Sequence, residues 1–310
     1  MSEAHAPVRS RRFFSRRYWL NLLGFTLLVA LVMLYVVLPV TLAWTQTRPL
    51  PHAVPLPAPL PAGWELQPLA VAAADGTVLR GWYLAPRNGA VIILYPGYGG
   101  DRRAVLPYAE FLARAGFGLL MMDPRATGES DGEQRAYGWS DWGDGTALVE
   151  ALLQRPEVRA DGIGAFGCST GAEIALGAAA LEPRIQAAAA DAPYYAGLAD
   201  ISFPVTAYDW LSAPLTPVFL AALQVFSGAR PPLTLGDATA AVAPRPLLLI
   251  AGGQSENGFE ARQAEHFYAQ AGAGAELWVI AEAGHCGGLA ARPEEYVQRV
   301  VAFFEAGLGP

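Results

Sequence analysis

The feature that most restricts the fold is an alternation of short apolar runs with alanine-rich runs of helical length, which begins near residue 64. Short apolar runs are typical of strands that are buried on both faces of a parallel sheet. The strand candidates are 91–94, 117–122, 163–166, 185–190, 247–251 and 277–280. The helix candidates are 104–115, 144–153, 170–180, 259–271 and 293–305. This alternation predicts a doubly wound, mostly parallel α/β domain.

The domain is expected to cover residues 64–310 as one unit, because we find no internal repeat and the length suits a single core. Two further runs, 65–72 and 78–84, flank Asp75-Gly76 and predict an antiparallel hairpin. Residues 194–235 are aromatic and interrupted by proline, which is typical of a lid or pocket wall inserted between core elements. Packing as ordinary core and contact with a bilayer are the alternatives.

The N-terminal region contains an uncharged apolar segment, 18–44. At ~1.5 Å per residue it is about 40 Å long, enough to cross a hydrocarbon core of ~30 Å. We therefore predict a transmembrane helix that ties the protein to a membrane, with a cleaved signal peptide as the alternative. The arginine-rich tail 1–17 predicts a cytosolic N-terminus and an extracytosolic domain. The proline-rich stretch 45–63 is interpreted as a linker that either extends as a spacer or packs on the domain.

Composition excludes several classes of function. The chain is 53% hydrophobic and 16% charged, which excludes a disordered protein. Its net charge is −7 although residues 1–17 are basic, so the rest is acidic and does not suit nucleic acid. The four histidines are scattered without metal-ligand spacing, and no phosphate-binding glycine motif follows a strand. We therefore predict neither a metal nor a cofactor.

The sharpest chemical signal is Gly167-Cys168-Ser169-Thr170-Gly171, which lies between a strand candidate and a helix candidate. A strand-to-helix turn of this kind projects a serine hydroxyl from a strained backbone, and small neighbours give it room. We therefore predict Ser169 as a nucleophile.

A serine nucleophile needs a base. His285 is predicted for this role, because it follows the last strand candidate, whereas the other histidines lie in the tail, the linker and a helix candidate. A carboxylate should orient the histidine. We favour Glu256, in the turn after 247–251, over Asp191, which follows 185–190.

An acyl-transfer site also needs donors for the oxyanion, and backbone amides are the usual source. We expect the amide of Thr170, directly after the nucleophile, and that of Tyr98, in the glycine-rich turn after 91–94. Pro96 has no N–H to donate. The two cysteines, Cys168 and Cys286, adjoin the predicted serine and histidine. We favour small, buried, space-filling residues over a disulfide that alters activity.

These motifs resemble the α/β-hydrolase superfamily, and the chain looks most like its small bacterial esterase and prolyl-oligopeptidase-like branches. The resemblance rests on the turn 96–100, the segment 123–130, the serine motif, the strand 247–251 with its acidic turn, and Gly284-His285. Pro96-Gly97 replaces the His-Gly that is frequent in the family, and the family's acid aligns with Ser255, one residue before Glu256. The resemblance implies an α/β-hydrolase fold.

The predicted reaction is hydrolysis of a carboxylic ester, thioester or amide through an acyl-enzyme. A small or medium acyl ester is the leading substrate class. One alternative is a membrane-tethered binding protein that keeps the fold without turnover, and another is an acyltransferase that uses the same residues. The sequence leaves the natural substrate and the oligomeric state open.

Overall fold

A sheet of eight strands organises the chain in a computed structural model, which describes residues 15–309 except for the side chain of Glu256. Its strand order is β10-β9-β8-β7-β4-β5-β3-β2. The strands are β2 (Gln67–Ala72), β3 (Val78–Leu84), β4 (Val91–Tyr95), β5 (Gly118–Met122), β7 (Ile163–Cys168), β8 (Ala187–Asp191), β9 (Leu247–Gly252) and β10 (Ala275–Ile280). The strands β10, β9, β8, β7, β4 and β5 run parallel to one another, and β3 runs antiparallel to both of its neighbours. The predicted hairpin and parallel sheet are thus confirmed.

Helices cover both faces of this sheet. They are α3 (Leu106–Arg114), α4 (Gly145–Leu153), α5 (Thr170–Leu181), α6 (Ala207–Ser212), α7 (Leu215–Ser227), α8 (Leu235–Val242), α9 (Phe259–Tyr268), α10 (Gly288–Ala291) and α11 (Pro293–Leu308). One core cluster joins α4, α5 and α8 to the sheet, and the other joins α3 and α11 to the opposite face. The central strands β4, β5 and β7 are buried at every position because both faces are covered.

The parallel arrangement brings the carboxyl ends of β4, β7, β8, β9 and β10 to one edge of the sheet. In open α/β sheets, ligands bind at this edge. The loops that carry Tyr98, Ser169 and His285 leave the sheet here, and Asp191 ends β8 at the same edge.

The apolar N-terminal segment forms one continuous helix of 31 residues, Arg16–Gln46, which is long and apolar enough to cross a membrane. It consists of α1 (Arg16–Val32), a π-helical turn (Met33–Val37) and α2 (Leu38–Gln46). Every residue of α1 is exposed, whereas α2 packs on the domain through the buried Pro39 and Ala43. Residues 1–14 of the predicted basic tail lie outside the described residues.

The proline-rich stretch 45–63 packs on the domain, as one of its two interpretations required, and is not an extended spacer. Leu50–Pro51 (β1) pairs in parallel with Thr127–Gly128 (β6). The side chain of Val54 is buried, and its amide donates to Glu129 Oε1 at 3.1 Å. The end of the N-terminal helix is therefore fixed against the domain.

The insertion 194–235 folds mainly into α6 and α7, and its residues take different roles. Leu220 and Leu223 of α7 are buried core, and Phe219 lines a cavity. Trp210 and Leu211 are exposed on α6. The insertion is therefore both part of the core and part of a pocket wall.

Candidate active site

Ser169 occupies the tip of the turn between β7 and α5. Its backbone has φ 58° and ψ −131°, in the left-handed half of conformational space that a non-glycine residue rarely adopts. A Cβ at Gly167 would overlap the carbonyl oxygen of Gly171, and a Cβ at Gly171 would overlap that of Tyr95. Both flanking glycines are therefore required for the turn to hold the serine above the sheet.

The serine hydroxyl lies within hydrogen-bonding distance of His285, as the sequence predicts. Ser169 Oγ is 2.9 Å from His285 Nε2. The histidine comes from the loop between β10 and α10, and its side chain remains 41% exposed. It is thus open to a molecule that approaches the serine.

The other ring nitrogen of His285 contacts Glu260. His285 Nδ1 is 2.7 Å from Glu260 Oε2, and the glutamate side chain is fully buried. Its second oxygen, Oε1, accepts the amide of Gly252 at 2.5 Å. Both carboxylate oxygens are therefore engaged, so the acid is held in one orientation against the imidazole ring.

The carboxylate on His285 Nδ1 is thus Glu260, which corrects the prediction of Glu256; the side chain of Glu256 lies outside the described part of the structure. The turn after β9 is a 3-10 segment, Ser255–Gly258, which ends with Asn257 and Gly258 at positive φ. This reversal directs the first turn of α9 back toward the sheet. The sequence does contain a pattern that indicates Glu260, because its helical spacing places it on the same buried face of α9 as Ala264 and Phe267.

Asp191, the second candidate acid, lies at the end of β8 beneath the serine turn. Its Oδ2 accepts a hydrogen bond of 2.6 Å from the Tyr296 hydroxyl, and its carbonyl accepts the amide of Ser169 at 2.8 Å. Burial raises the pKa of this carboxyl to about 6. Asp191 therefore supports the turn from below, with its side chain bonded to α11.

The turn after β4 passes directly beside the serine. A Cβ on Gly97 would lie 3.3 Å from the carbonyl oxygen of Cys168 and 3.4 Å from Ser169 Cβ, so a side chain at this position would be tightly packed against the serine turn. Gly97, Tyr98 and Thr170 line one small cavity together. Thr170 is also the first residue of α5, where the helix dipole favours negative charge. The two residues predicted to donate to the oxyanion, Tyr98 and Thr170, therefore line the same cavity next to the serine turn.

Cys168 and Cys286 form a disulfide, with their Cα atoms 6.1 Å apart. This replaces the interpretation of two separate space-filling residues. The bridge joins the residue before Ser169 to the residue after His285. It therefore ties together the two loops that carry the hydrogen-bonded pair.

Glu173 is a further buried group that the sequence reasoning missed. It lies one turn after Ser169 in α5, and its Oε1 accepts the amide of Tyr194 at 3.3 Å. Burial raises its pKa to about 8, and its Oε2 has no hydrogen-bond partner among the described residues. The ring of Tyr194 stands edge-on to His285, with 5.3 Å between the ring centroids. Glu173 therefore fixes the aromatic residue that packs against the histidine.

The described residues, 15–309, contain no group of three or more His, Cys, Asp or Glu side chains able to hold a metal ion. The prediction of a site without metal or cofactor stays a prediction.

A family model described as serine aminopeptidase, S33 (Hydrolase_4) matches residues 86–240, half of the chain. The chain belongs to this family. The matched region includes the turn after β4 and the serine turn, whereas Glu260 and His285 lie beyond it.

Solved structures and curated proteins agree with this assignment. The esterase Pf2001 of Pyrococcus furiosus is 26% identical, with a TM-score of 0.68 over 84% of this chain and 99% of that chain. Thiohydrolase aneE of Aspergillus aculeatus is 34% identical over 116 residues, 36% of each chain. Polyketide transferase grgF of Penicillium sp is 34% identical over 130 residues, 38% of this chain and 42% of the relative. The matches thus span about two-fifths of these two relatives.

This Hydrolase_4 protein therefore has the α/β-hydrolase fold.

Proposed function

We propose that this protein is a membrane-anchored serine hydrolase that cleaves carboxylic esters through an acyl-enzyme. The observation that carries the proposal is the continuous hydrogen-bonded series from Ser169 Oγ through His285 to the buried Glu260. A serine, a base and an orienting acid in this arrangement are the parts that nucleophilic acyl transfer requires. The esterase and thiohydrolase names of the similar proteins support the same class of reaction.

In the first half of the reaction, His285 Nε2 takes the proton of Ser169 Oγ while the oxygen attacks the carbonyl carbon. The carbonyl electrons move to the oxygen, where the amides of Tyr98 and Thr170 are proposed to stabilise the negative charge. Glu260 stabilises the imidazolium through Nδ1. The intermediate then expels the alcohol, which receives the proton from Nε2 and leaves an acyl group on Ser169.

In the second half, His285 removes a proton from water, and the hydroxide attacks the acyl carbon. The acid is released and Ser169 recovers its proton. The name of grgF favours a second candidate in which another acceptor replaces water, since the same residues serve either acceptor. Thioesters and amides are further acyl donors compatible with this site.

The membrane anchor is the helix Arg16–Gln46, and the arginines before it favour a cytosolic N-terminus with the domain outside. Protease accessibility in sealed vesicles tests this topology. A mature N-terminus that begins after residue 44 would identify a cleaved signal peptide instead.

The test of the activity uses the full-length protein in detergent, with a fluorophosphonate probe and p-nitrophenyl esters. We expect wild type and a Ser227→Ala control to be labelled and active, and Ser169→Ala to be neither. Ser227 lies in α7, and its hydroxyl donates only locally, to Leu223 O at 2.6 Å. Folded wild type that neither reacts nor turns over any ester would instead favour the non-catalytic binding protein. Adding a competing alcohol and measuring ester exchange distinguishes acyl transfer from hydrolysis.

A further inference from the structure

A cavity of about 300 Å³ lies between the N-terminal helix and the insertion. One wall is α2, through Leu38 and Leu42, and the opposite wall is Phe219 of α7. Tyr137 and Tyr194 lie at the side of the domain. A helix that the sequence suggests only as an anchor therefore forms part of a pocket.

The position of α2 is fixed by contacts on both sides of the cavity. The Tyr98 hydroxyl donates to the carbonyl of Gln46, and Arg135 Nε donates to the carbonyl of Arg48 at 2.6 Å. On the other side, the Trp44 ring packs edge-on against Phe226 of α7, with centroids 5.2 Å apart. The outer end of the N-terminal helix is thus attached both to the turn beside Ser169 and to the insertion.

The cavity is one side chain away from the hydrogen-bonded pair. Tyr194 contributes to its wall and stands edge-on to His285 at 5.3 Å. Tyr137 lines it as well, and its ring is 5.7 Å from that of Tyr98. A substrate whose carbonyl lies at Ser169 would therefore have this cavity beside it.

The lining is chemically suited to a hydrocarbon chain. It contains leucine, proline, phenylalanine and tyrosine side chains, with a glutamine and a threonine as further polar groups. The lining residues of this described cavity include no Asp, Glu, Lys or Arg. The volume is at the lower end of the ~300–1,000 Å³ found for small-molecule sites. A charged or strongly polar ligand would lose hydration here without a compensating partner.

We propose that this cavity binds the acyl chain of the substrate, so that α2 of the N-terminal helix is part of the substrate site and sets the preferred chain length. This inference rests on the proposed function, because it supplies the acyl group that Ser169 would receive. The apolar exposed surface of α1 continues from α2 along the same helix. An acyl chain would therefore find an apolar path from a bilayer to the cavity.

The test replaces Leu42 with tryptophan in the full-length protein, reconstituted in phosphatidylcholine nanodiscs. Leu31→Trp is the matched control, because Leu31 belongs to the same helix, is exposed and lies outside the cavity lining. We measure the ratio of kcat/KM for p-nitrophenyl dodecanoate to that for the acetate. Each methylene displaced from an apolar site costs about fourfold, so displacing three lowers this ratio by about 60-fold. Leu31→Trp leaves the ratio at the wild-type value.

Two further variants test the same cavity, so that the result does not depend on the correct folding of Leu42→Trp alone. Leu38→Trp should lower the ratio in the same way, and Phe219→Ala should shift the preference to longer chains. A dodecanoate-to-acetate ratio that is the same in Leu42→Trp, Leu38→Trp and Leu31→Trp would overturn the proposal. The same acyl chain presented as a monoacylglycerol in the nanodisc shows whether a bilayer or the solution supplies it.

A readout independent of turnover separates this inference from the proposed function. Diazirine-labelled palmitate is cross-linked to Ser169→Ala protein, with and without Leu42→Trp. We expect cross-links to peptides of α2 and α7 that Leu42→Trp reduces. If these appear while wild type hydrolyses no ester, the binding site stands and the hydrolase proposal fails. If the yield of these cross-links is the same with and without Leu42→Trp, the proposed site is refuted, whether or not the protein hydrolyses esters.

Discussion

Replacing Glu260 by glutamine tests the assignment of the orienting acid. In the wild type, Oε1 accepts the Gly252 amide, which leaves Oε2 to accept Nδ1–H of His285. Glutamine keeps one oxygen, and the Gly252 amide requires it, so the side-chain NH₂ group must face Nδ1. This stabilises the tautomer that carries its proton on Nε2, and such a histidine cannot accept the proton of Ser169.

The expected loss follows from this tautomer. In the serine-protease triad, the equivalent Asp-to-Asn change lowers kcat by about 10⁴ while the geometry stays intact. We expect a decrease of the same order here, which corresponds to about 5.5 kcal/mol in the activation free energy. KM for a short ester should change little, because Glu260 is fully buried and lies behind the histidine. Fluorophosphonate labelling should slow in parallel.

The assay is kcat and KM for a p-nitrophenyl ester, with thermal unfolding to verify that each variant is folded. Glu256→Gln is the comparison that decides between the sequence-based and the structure-based acid, and Asp191→Asn tests the third carboxylate. Both should retain far more activity than Glu260→Gln. A folded Glu260→Gln protein with at least a tenth of wild-type activity, beside a Glu256→Gln protein that has lost it, would refute the reasoning.

Three further predictions concern stability. Burial raises the pKa of Glu173 to about 8 in the folded protein, whereas the unfolded chain ionises this residue near pH 4.5. The free energy of unfolding should therefore decrease as pH rises between these values, by about 5 kcal/mol at most. Denaturant unfolding from pH 5 to 9 measures this decrease, and Glu173→Gln should make it smaller. Cys168→Ser with Cys286→Ser opens a loop of 118 residues and should lower the unfolding free energy by about 5 kcal/mol, with a lower kcat because the two loops are no longer joined. A urea midpoint of the wild type that is the same with and without reductant would contradict this. Gly171→Ala should abolish folding or labelling, because its Cβ would overlap the carbonyl oxygen of Tyr95. Gly143→Ala is the control, because its Cβ would meet no atom within 4 Å, and it should express and label as the wild type does.

The sequence by itself determined the sheet and the serine turn. Parallel strands buried on both faces must be short and apolar, and their connecting helices must carry an apolar face, so strands such as 91–95 and 163–168 are visible as local patterns. The glycines around Ser169 are also a local requirement, since the turn has no room for a Cβ. His285 could be selected because the other histidines lie in the tail, the linker and a helix.

Only the tertiary structure decided which groups meet across long separations. Glu256 and Glu260 differ by a single helical turn, and the positive φ values at Asn257 and Gly258 determine which region of the chain faces His285. The pairing of Cys168 with Cys286 depends on the distance between two loops that no local pattern encodes.

The same holds for the N-terminal helix. An apolar segment of this length predicts a membrane span, but it does not predict what the end of the helix contacts, because the hydrophobic effect is not directional. Its attachment to Tyr98 depends on a hydrogen bond to the main-chain carbonyl of Gln46, a group that every residue type possesses. Its attachment to α7 depends on the packing of the Trp44 ring against Phe226, a residue far away in the sequence. Sequence therefore determined the elements and the serine, whereas the meeting of separate loops and helices determined the acid, the disulfide and the pocket.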